Sequence, residues 1–287
     1  MKNLVRYILV AAVVALWPTA SHGYELKAHK GTVDGSYNFW MYEPDSAAVE
    51  AKPLVLFLHG ASLCGHNLER VRHYGTIDAI DRGRHIDAYV VAPQNPGGAW
   101  SPAKLMKIVE WAKEKYDVDS TRIYVLGMSL GGYGTLDFVA EYPDQVAAAM
   151  AFCGGATAKH LERLGEVPLW IVHGTADRAV GVGESDRVVK AIRESESEGE
   201  RLLYNRVQGM NHGQPARFFY LQDTYDWLFT HSLDQEGRPV TEAFDITGKS
   251  KNAYANLNHS AKPKKSKTHA PKKKKSKKRR RSTKRRK

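Results

Sequence analysis

The chain has 287 residues and a formal net charge of +12, from 43 lysines and arginines against 31 aspartates and glutamates. Residues 261–287 hold 17 of those basic residues and no acidic one, so the rest of the chain carries about −5. The basic character therefore belongs to the C-terminal end and not to the body. Only two cysteines are present, which excludes a scaffold built from disulfides.

The first 23 residues have the organisation of a secretory signal peptide. Lys2 and Arg6 supply positive charge ahead of an apolar stretch over residues 7–17, and small residues follow at 21 and 23. An apolar stretch of this length is too short to span a bilayer comfortably. The pattern predicts a cleaved peptide over 1–23 and export to the periplasm or the exterior, with an uncleaved anchor as the alternative.

Three further segments are predicted downstream. Residues 24–233 suit one globular domain with a substantial core, and the polar residues 234–260 suit a linker. The basic tail, 261–287, cannot bury apolar surface and is predicted to be disordered in isolation. Its expected partner is an anionic surface or polyanion, with a merely solubilising end as the alternative. No aromatic residue follows Tyr254, which argues against base stacking on nucleic acid.

Apolar runs alternate with amphipathic segments along residues 53–229. The runs predict six core strands, over 53–59, 87–92, 122–128, 147–152, 168–173 and 202–207. The segments between and after them predict six helices, over 68–80, 103–115, 133–141, 159–164, 185–196 and 218–229. Such alternation implies an α/β fold with a mainly parallel sheet between two helix layers. Residues 24–29 and 37–41 predict an antiparallel hairpin at the sheet edge, and no insertion is long enough for a large lid.

The third of these strands ends in the run Gly127-Met128-Ser129-Leu130-Gly131, followed by the small residues that open a helix. A serine at such a strand-to-helix corner sits on a strained turn that exposes its hydroxyl, and glycines flank it because larger side chains clash there. The pattern predicts a nucleophilic Ser129. The alternative is a serine that simply caps the helix.

A serine nucleophile needs a histidine base, and the base needs a carboxylate on its other ring nitrogen. Asp177 follows the strand at 168–173 and His212 follows the next strand, so the order Ser129, Asp177, His212 is the one expected for this fold. Asp177 could instead be a turn former. Asp186, the nearest competing carboxylate, falls inside a predicted helix. His59 and His173 end strands and are interpreted as orienting or packing groups.

A developing oxyanion needs two preorganised N–H donors. The sequence predicts the backbone of Leu130 as one and the backbone of Ala61 as the other, with Ser62 as a second choice, although residues 59–63 could form an ordinary turn. HExxH and a glycine-rich dinucleotide turn after the first strand are absent from the sequence. We therefore expect catalysis without a metal or cofactor.

Together these residues resemble the α/β-hydrolase superfamily. The resemblance runs from about Leu54 to Phe229 and rests on a set of short motifs: His59-Gly60, Pro93-Gln94-Asn95-Pro96, Trp100, Gly127 to Gly132, His173-Gly174 with Asp177 and Val180, and Asn211-His212-Gly213. Within the superfamily the chain is similar to the phospholipase/carboxylesterase, dienelactone-hydrolase-like and prolyl-oligopeptidase-like groups.

The resemblance implies Ser129, Asp177 and His212 as the triad and Ala61 and Leu130 as oxyanion donors. It also implies a substrate pocket near Trp100 and Ser62. Two departures matter. A dienelactone hydrolase proper would carry a cysteine nucleophile, and the prolyl-oligopeptidase group normally brings an N-terminal propeller that about 30 mature residues cannot form.

The sequence therefore predicts an exported serine carboxylesterase, acting on small or polymeric esters such as acylated carbohydrate. Two alternatives remain: a serine peptidase of the same fold, and an inert hydrolase fold that binds polyanions through its tail. Cys64 and Cys153 each follow a predicted strand at the same sheet edge. They are interpreted as separate small apolar residues, with a disulfide between them as the alternative.

Overall fold

The computed structural model describes residues 24–44, 50–195 and 199–258, so the predicted signal peptide and the basic tail lie outside the described residues. Eight strands form one sheet with the spatial order β1-β2-β4-β3-β5-β6-β7-β8. They are β1 Glu25–His29, β2 Asn38–Glu43, β3 Lys52–Leu58, β4 Tyr89–Gln94, β5 Val118–Met128, β6 Ala148–Phe152, β7 Leu169–Gly174 and β8 Leu202–Val207.

The sheet is mainly parallel, as predicted. β1 and β2 form the expected antiparallel hairpin, and β2 also runs antiparallel to β4. Every other neighbouring pair, from β4 across to β8, is parallel. The carboxyl ends of these six strands therefore lie at one edge of the sheet, where an open α/β fold places its working loops.

Helices cover the sheet on both faces. They are α1 Thr76–Asp81, α2 Pro102–Lys115, α3 Leu130–Glu141, α4 Gly183–Arg193, α5 Gln222–Phe229 and α6 Ile246–Ser250. In the described part of the chain, none of them combines the length and the apolar character needed to cross a membrane.

Two hydrophobic clusters lie on opposite faces of the sheet, and β3 shows why its sequence is almost continuously apolar. Val55 and Phe57 belong to one cluster, whereas Leu54, Leu56 and Leu58 belong to the other. Successive side chains of a strand point to opposite faces, so a strand covered on both sides needs apolar residues at every position.

The helix predicted over 68–80 is wrong as a single element. The structure has a 3₁₀ turn at Leu68–Arg72 and then the short helix α1. Gly75 separates them with a φ of +92°, and a side chain there would collide with the ring of Phe57. Only glycine fits this conformation and this contact, and a positive φ is incompatible with a right-handed helix. The chain therefore cannot continue as a regular helix through Gly75. The segments predicted over 159–164 and 218–229 likewise include 3₁₀ turns, at Leu161–Glu166 and Gln214–Tyr220.

The linker predicted over 234–260 is also corrected by the structure. Ile246, Ala253 and Leu257 are buried and belong to the hydrophobic cluster beneath β7 and α5. Phe244 packs edge-on against Trp170, with ring centroids 4.8 Å apart. The segment 240–258, which we call the C-terminal strap, is part of the folded body because its few apolar residues reach a hydrophobic surface that the rest of the domain leaves open.

We expect Ile246→Ala to destabilise the protein by about 2–4 kcal/mol, because it removes methyl and methylene groups from a side chain that is 2% exposed. Urea unfolding followed by circular dichroism measures the change. Thr247→Ala, at the exposed neighbouring position, is the matched control and should stay within about 0.5 kcal/mol. Equal stabilities for the two variants would mean that the strap is a linker after all.

Candidate active site

The site begins at the turn between β5 and α3. Ser129 has φ 58° and ψ −121°, a conformation that non-glycine residues seldom adopt. Its N–H donates to the carbonyl of Phe152 at 2.8 Å, and Gly131 must lack a side chain because a Cβ would collide with the carbonyl of Leu58. The Ser129 hydroxyl makes no capping hydrogen bond to the helix. Helix capping therefore does not account for this serine.

Three side chains from three different loops meet at this corner. His212 Nε2 lies 2.9 Å from Ser129 Oγ, and His212 Nδ1 lies 2.6 Å from Asp177 Oδ2. The loops follow β5, β7 and β8, whose carboxyl ends share one edge of the sheet. Since the carboxylate accepts the Nδ1 proton, Nε2 presents its lone pair to the serine hydroxyl. This tautomer can accept the proton of Ser129.

Asp177 is buried, with a side chain 1% exposed, and it is also the turn former that the sequence allowed. Its Oδ1 accepts the N–H groups of Ala179 and Val180, both at 2.9 Å. Burial acts to raise the pKa of this carboxyl, but the hydrogen bonds from His212, Val180 and Ala179 outweigh it, and the pKa falls below the ordinary 3.8. The group is ionised at neutral pH and can stabilise an imidazolium.

His173 is fully buried on β7 and supports the carboxylate. Its Nε2 lies 3.0 Å from the Val180 carbonyl and 3.3 Å from Asp177 Oδ2, so Nε2 carries a proton that faces two acceptors. Its Nδ1 lies 2.8 Å from Ser185 Oγ, and that oxygen also lies 2.7 Å from the carbonyl of Gly154. These contacts are those of an orienting group, in agreement with the interpretation of His173 from the sequence.

His59 and Asp186 take no part in the Ser129–His212–Asp177 line. Burial lowers the pKa of His59 to about 4, so this imidazole is neutral, and its Nε2 accepts the N–H of Asn95. Asp186 lies on α4, where its carboxylate accepts from the hydroxyl of Tyr204 and pairs with Arg206. The helical position predicted for Asp186 is confirmed, and it directs the carboxylate to β8.

A cavity of about 700 Å³ opens beside Ser129. Its wall includes Ala61, Ser62 and Leu130, three of the residues predicted from sequence. Leu130 is the first residue of α3, so its N–H has no acceptor within the helix. Ala61 begins a 3₁₀ turn, Ala61–Leu63, that follows β3. Both expected oxyanion donors therefore border the space that faces the serine.

Trp100 does not line this cavity, which corrects the placement that the resemblance implied. Its side chain is buried under the site, with the indole N–H donating to the carbonyl of His59 at 3.3 Å. Gly134 of α3 lies directly against the indole, and a Cβ there would come within 2.6 Å of the ring. The close approach of helix and ring draws the tryptophan into the core, where it supports the loop after β3.

Two tyrosines in the cavity wall were missed from the sequence. Tyr74 precedes Gly75, and Tyr133 lies in the first turn of α3. Burial and the neighbouring Glu184 carboxylate raise the pKa of Tyr133 to about 12, so its phenol stays protonated. No local signal marks either residue, because both lie in segments that also suit an ordinary amphipathic helix.

Both cysteines are free thiols, in agreement with their interpretation as separate residues that form no disulfide. Cys153 is buried beside the site, with Sγ 3.8 Å from the His212 carbonyl. Burial raises the pKa of this thiol far above its ordinary value, so it is neutral and not a nucleophile. Within the described ranges, Cys153, Asp177 and His212 have potential metal-ligand atoms within 4.8 Å of one another. His212 Nδ1 and Asp177 already bind each other.

Several known hydrolases are similar to this chain. Residues 99–213, which include Ser129, Asp177 and His212, match the model of the Dienelactone hydrolase family. Poly(3-hydroxyalkanoate) depolymerase C of Paucimonas lemoignei is 27% identical over 168 residues, covering 52% of this chain and 39% of that protein. The bifunctional acetylxylan esterase/xylanase XynS20E of Neocallimastix patriciarum is 25% identical over 166 residues, covering 54% of this chain and 23% of that protein.

Among solved structures, a thermostable esterase aligns with a TM-score of 0.60 and 27% identity, covering 73% of this chain and 63% of that one. The chain thus spans less than two thirds of the length of each of these three relatives. The eight-stranded sheet, the family match and the esterase relatives agree with one another. The chain has the α/β-hydrolase fold, and the relatives named here are esterase-type hydrolases.

Proposed function

We propose that this protein is a serine esterase that cleaves carboxylic esters through an acyl-enzyme. Ser129 is the nucleophile, His212 the general base and acid, and Asp177 the carboxylate that orients His212. One observation carries the proposal: an unbroken hydrogen-bonded line of 2.9 Å and 2.6 Å joins the three side chains beside a cavity. A serine hydroxyl in such a line is activated at neutral pH.

The chemistry follows from the tautomer of His212. As Ser129 Oγ attacks the ester carbonyl, Nε2 takes the hydroxyl proton, and the carboxylate of Asp177 stabilises the imidazolium that forms. The N–H groups of Leu130 and Ala61 receive the developing oxyanion. The alcohol leaves with the proton from His212, water then attacks the acyl-enzyme, and His212 repeats both transfers.

For the substrate we propose an ester on a carbohydrate or another polymer. The cavity is open at the protein surface, and the relatives above are named for acetylated xylan and for poly(3-hydroxyalkanoate), both of them polymeric esters. Export through residues 1–23 would bring the enzyme to such polymers. The charge of residues 261–287 supports attachment to an anionic surface, a role separate from catalysis.

Two assays test the proposal. A p-nitrophenyl acyl ester and a peptide anilide with matched acyl groups are offered to the purified protein, and a fluorophosphonate probe is applied with peptide mapping of the labelled residue. We expect turnover of the ester, a much slower reaction of the anilide and labelling of Ser129. Preferred hydrolysis of the anilide would favour a peptidase. Absence of both turnover and label would favour an inert hydrolase fold that binds polyanions.

A further inference from the structure

Tyr74 is the cavity residue whose environment is most specific. It lies between the 3₁₀ turn Leu68–Arg72 and helix α1, and its side chain reaches the wall of the cavity that holds Ser129. The proton relay proposed above does not use it. Its side chain bonds to the backbone of the loop that follows β3, and Ala61 is part of that loop.

The phenol bonds to the residue before Ala61. Tyr74 Oη accepts the N–H of Gly60 at 2.8 Å. The side chain of Ser62, the residue after Ala61, is near enough to lower the pKa of the phenol. The hydroxyl group thus holds the residue that shares a peptide bond with Ala61, and the N–H of that peptide is the expected oxyanion donor.

Packing around Gly60 leaves no room for a side chain at this position. A Cβ at this position would lie 2.8 Å from Tyr74 Oη, 3.3 Å from the carbonyl oxygen of Met128 and 3.4 Å from the Cβ of Ser129. Gly60 is therefore held between the tyrosine on one side and the nucleophile turn on the other. The distance from Ala61 to Ser129 depends on that arrangement.

The tyrosine is itself firmly supported. The next residue, Gly75, donates its N–H to Tyr220 Oη, which in turn donates to Asp78 at 2.6 Å. Burial raises the pKa of Tyr74 more than Gly60 and Ser62 lower it, so the hydroxyl stays protonated. A rigid, neutral phenol is suited to hold a loop, because it does not titrate near neutrality and is costly to move.

We infer that Tyr74 is a positioning residue for the oxyanion hole, holding the loop Gly60–Ser62 so that the Ala61 N–H points at the oxyanion that forms on the substrate of Ser129. The inference rests on the proposed function. It makes Tyr74 act on the transition state through Ala61, with little effect on the binding of the ground-state ester.

Tyr74→Phe tests this inference, since it removes the hydroxyl and keeps the ring. We expect kcat for a p-nitrophenyl ester to fall about 10- to 100-fold, as a donor misplaced by a fraction of an ångström would cause. KM should stay within about twofold, since the loss falls on an interaction made in the transition state. Affinity for a trifluoromethyl ketone, which forms a tetrahedral oxyanion on the serine, should fall by the same factor as kcat/KM.

Tyr124→Phe is the matched control. It removes another buried hydroxyl, on a β5 residue five positions before Ser129, and that hydroxyl donates to the carbonyl of His231 at 2.7 Å. This variant is expected to lose some stability and to keep its kcat. An equal loss of kcat in both variants would mean that Tyr74 serves stability alone, and a kcat within twofold of wild type in Tyr74→Phe would overturn the inference.

Ser62→Ala tests the same loop with little risk to folding, because Ser62 is exposed. It removes the Ser62 hydroxyl that lies near the phenol, and we expect a loss of kcat of a few fold with KM unchanged. If Tyr74→Phe does not fold, an unchanged kcat in Ser62→Ala overturns the inference. If wild type turns over no ester and Ser129 takes no label, the proposed function fails instead, so the two failures are distinguishable.

Discussion

Replacing Ser129 by alanine is expected to lower ester hydrolysis by about 10⁴-fold or more, the largest effect of any substitution proposed for this protein. Ser129 Oγ lies 2.9 Å from His212 Nε2, where it can transfer its proton and attack a carbonyl. An alanine leaves the base and the oxyanion donors in place but removes the group that forms the acyl-enzyme. The rate of p-nitrophenyl ester hydrolysis and labelling by a fluorophosphonate measure the loss.

The fold should tolerate this change. The Ser129 side chain makes no capping bond to α3, so its removal costs the helix no hydrogen bond. We expect the free energy of unfolding to change by less than about 1 kcal/mol. Ser36→Ala is the control. Ser36 lies in the loop after β1, and its hydroxyl donates to the carbonyl of Lys104 on α2. If Ser129→Ala keeps more than a tenth of the wild-type rate, the nucleophile is another residue.

Asp177→Asn is expected to have the second largest effect, a fall in kcat of about 10³- to 10⁴-fold. The carboxylate now accepts the proton on His212 Nδ1 at 2.6 Å. An amide can turn its NH₂ group toward Nδ1, which favours the tautomer whose proton lies on Nε2 and faces Ser129. That tautomer cannot accept the serine proton. KM should change little, because binding of the ester does not involve the carboxylate.

Asp186→Asn is the matched control, because Asp186 is the nearest aspartate in sequence and bonds Tyr204 and Arg206 instead. It should keep the wild-type kcat within about twofold. Loss of activity in this variant with retention in Asp177→Asn would assign the carboxylate role to α4 and remove Asp177 from the mechanism.

The same substitution has a consequence for stability against pH. The pKa of Asp177 is lowered in the folded protein from its ordinary 3.8, so folding favours the ionised form. Its contribution is therefore fully present above pH 3.8 and is lost as the pH falls through the lower, folded-state value. Urea unfolding at pH 5 and at pH 3 should show wild type losing more stability than Asp177→Asn. An identical loss in both would contradict the lowered pKa.

Local patterns were sufficient to predict the strands and the corner of the site. An apolar run bounded by turn residues marks a buried strand wherever it occurs, and Gly127 to Gly131 mark a sharp turn through the steric demand of their own backbone. Asp177 and His212 could be chosen because parallel strands end at one edge of the sheet. In each case the information lies within a few residues of the chain, or in the order of the strands.

The misplaced elements depend on contacts between distant parts of the chain. The helix predicted over 68–80 is interrupted because Gly75 meets the ring of Phe57. Trp100 is drawn into the core because Gly134 lets α3 approach its indole. The strap was predicted as a linker because its buried residues, such as Ile246 and Leu257, are few and scattered among polar ones. None of these neighbours can be identified from the local sequence alone.

The sequence by itself determined the chemical groups of the candidate site: a hydroxyl, an imidazole and a carboxylate in a fixed order, each placed after a strand by the turn residues around it. Only the tertiary structure decided how far apart those groups lie and what supports them. Tyr74 shows the difference, because its hydroxyl bonds to Gly60, which lies 14 positions earlier in the chain. Hydrophobic patterning records which residues are buried, whereas the partner of each buried polar atom is set by packing between elements.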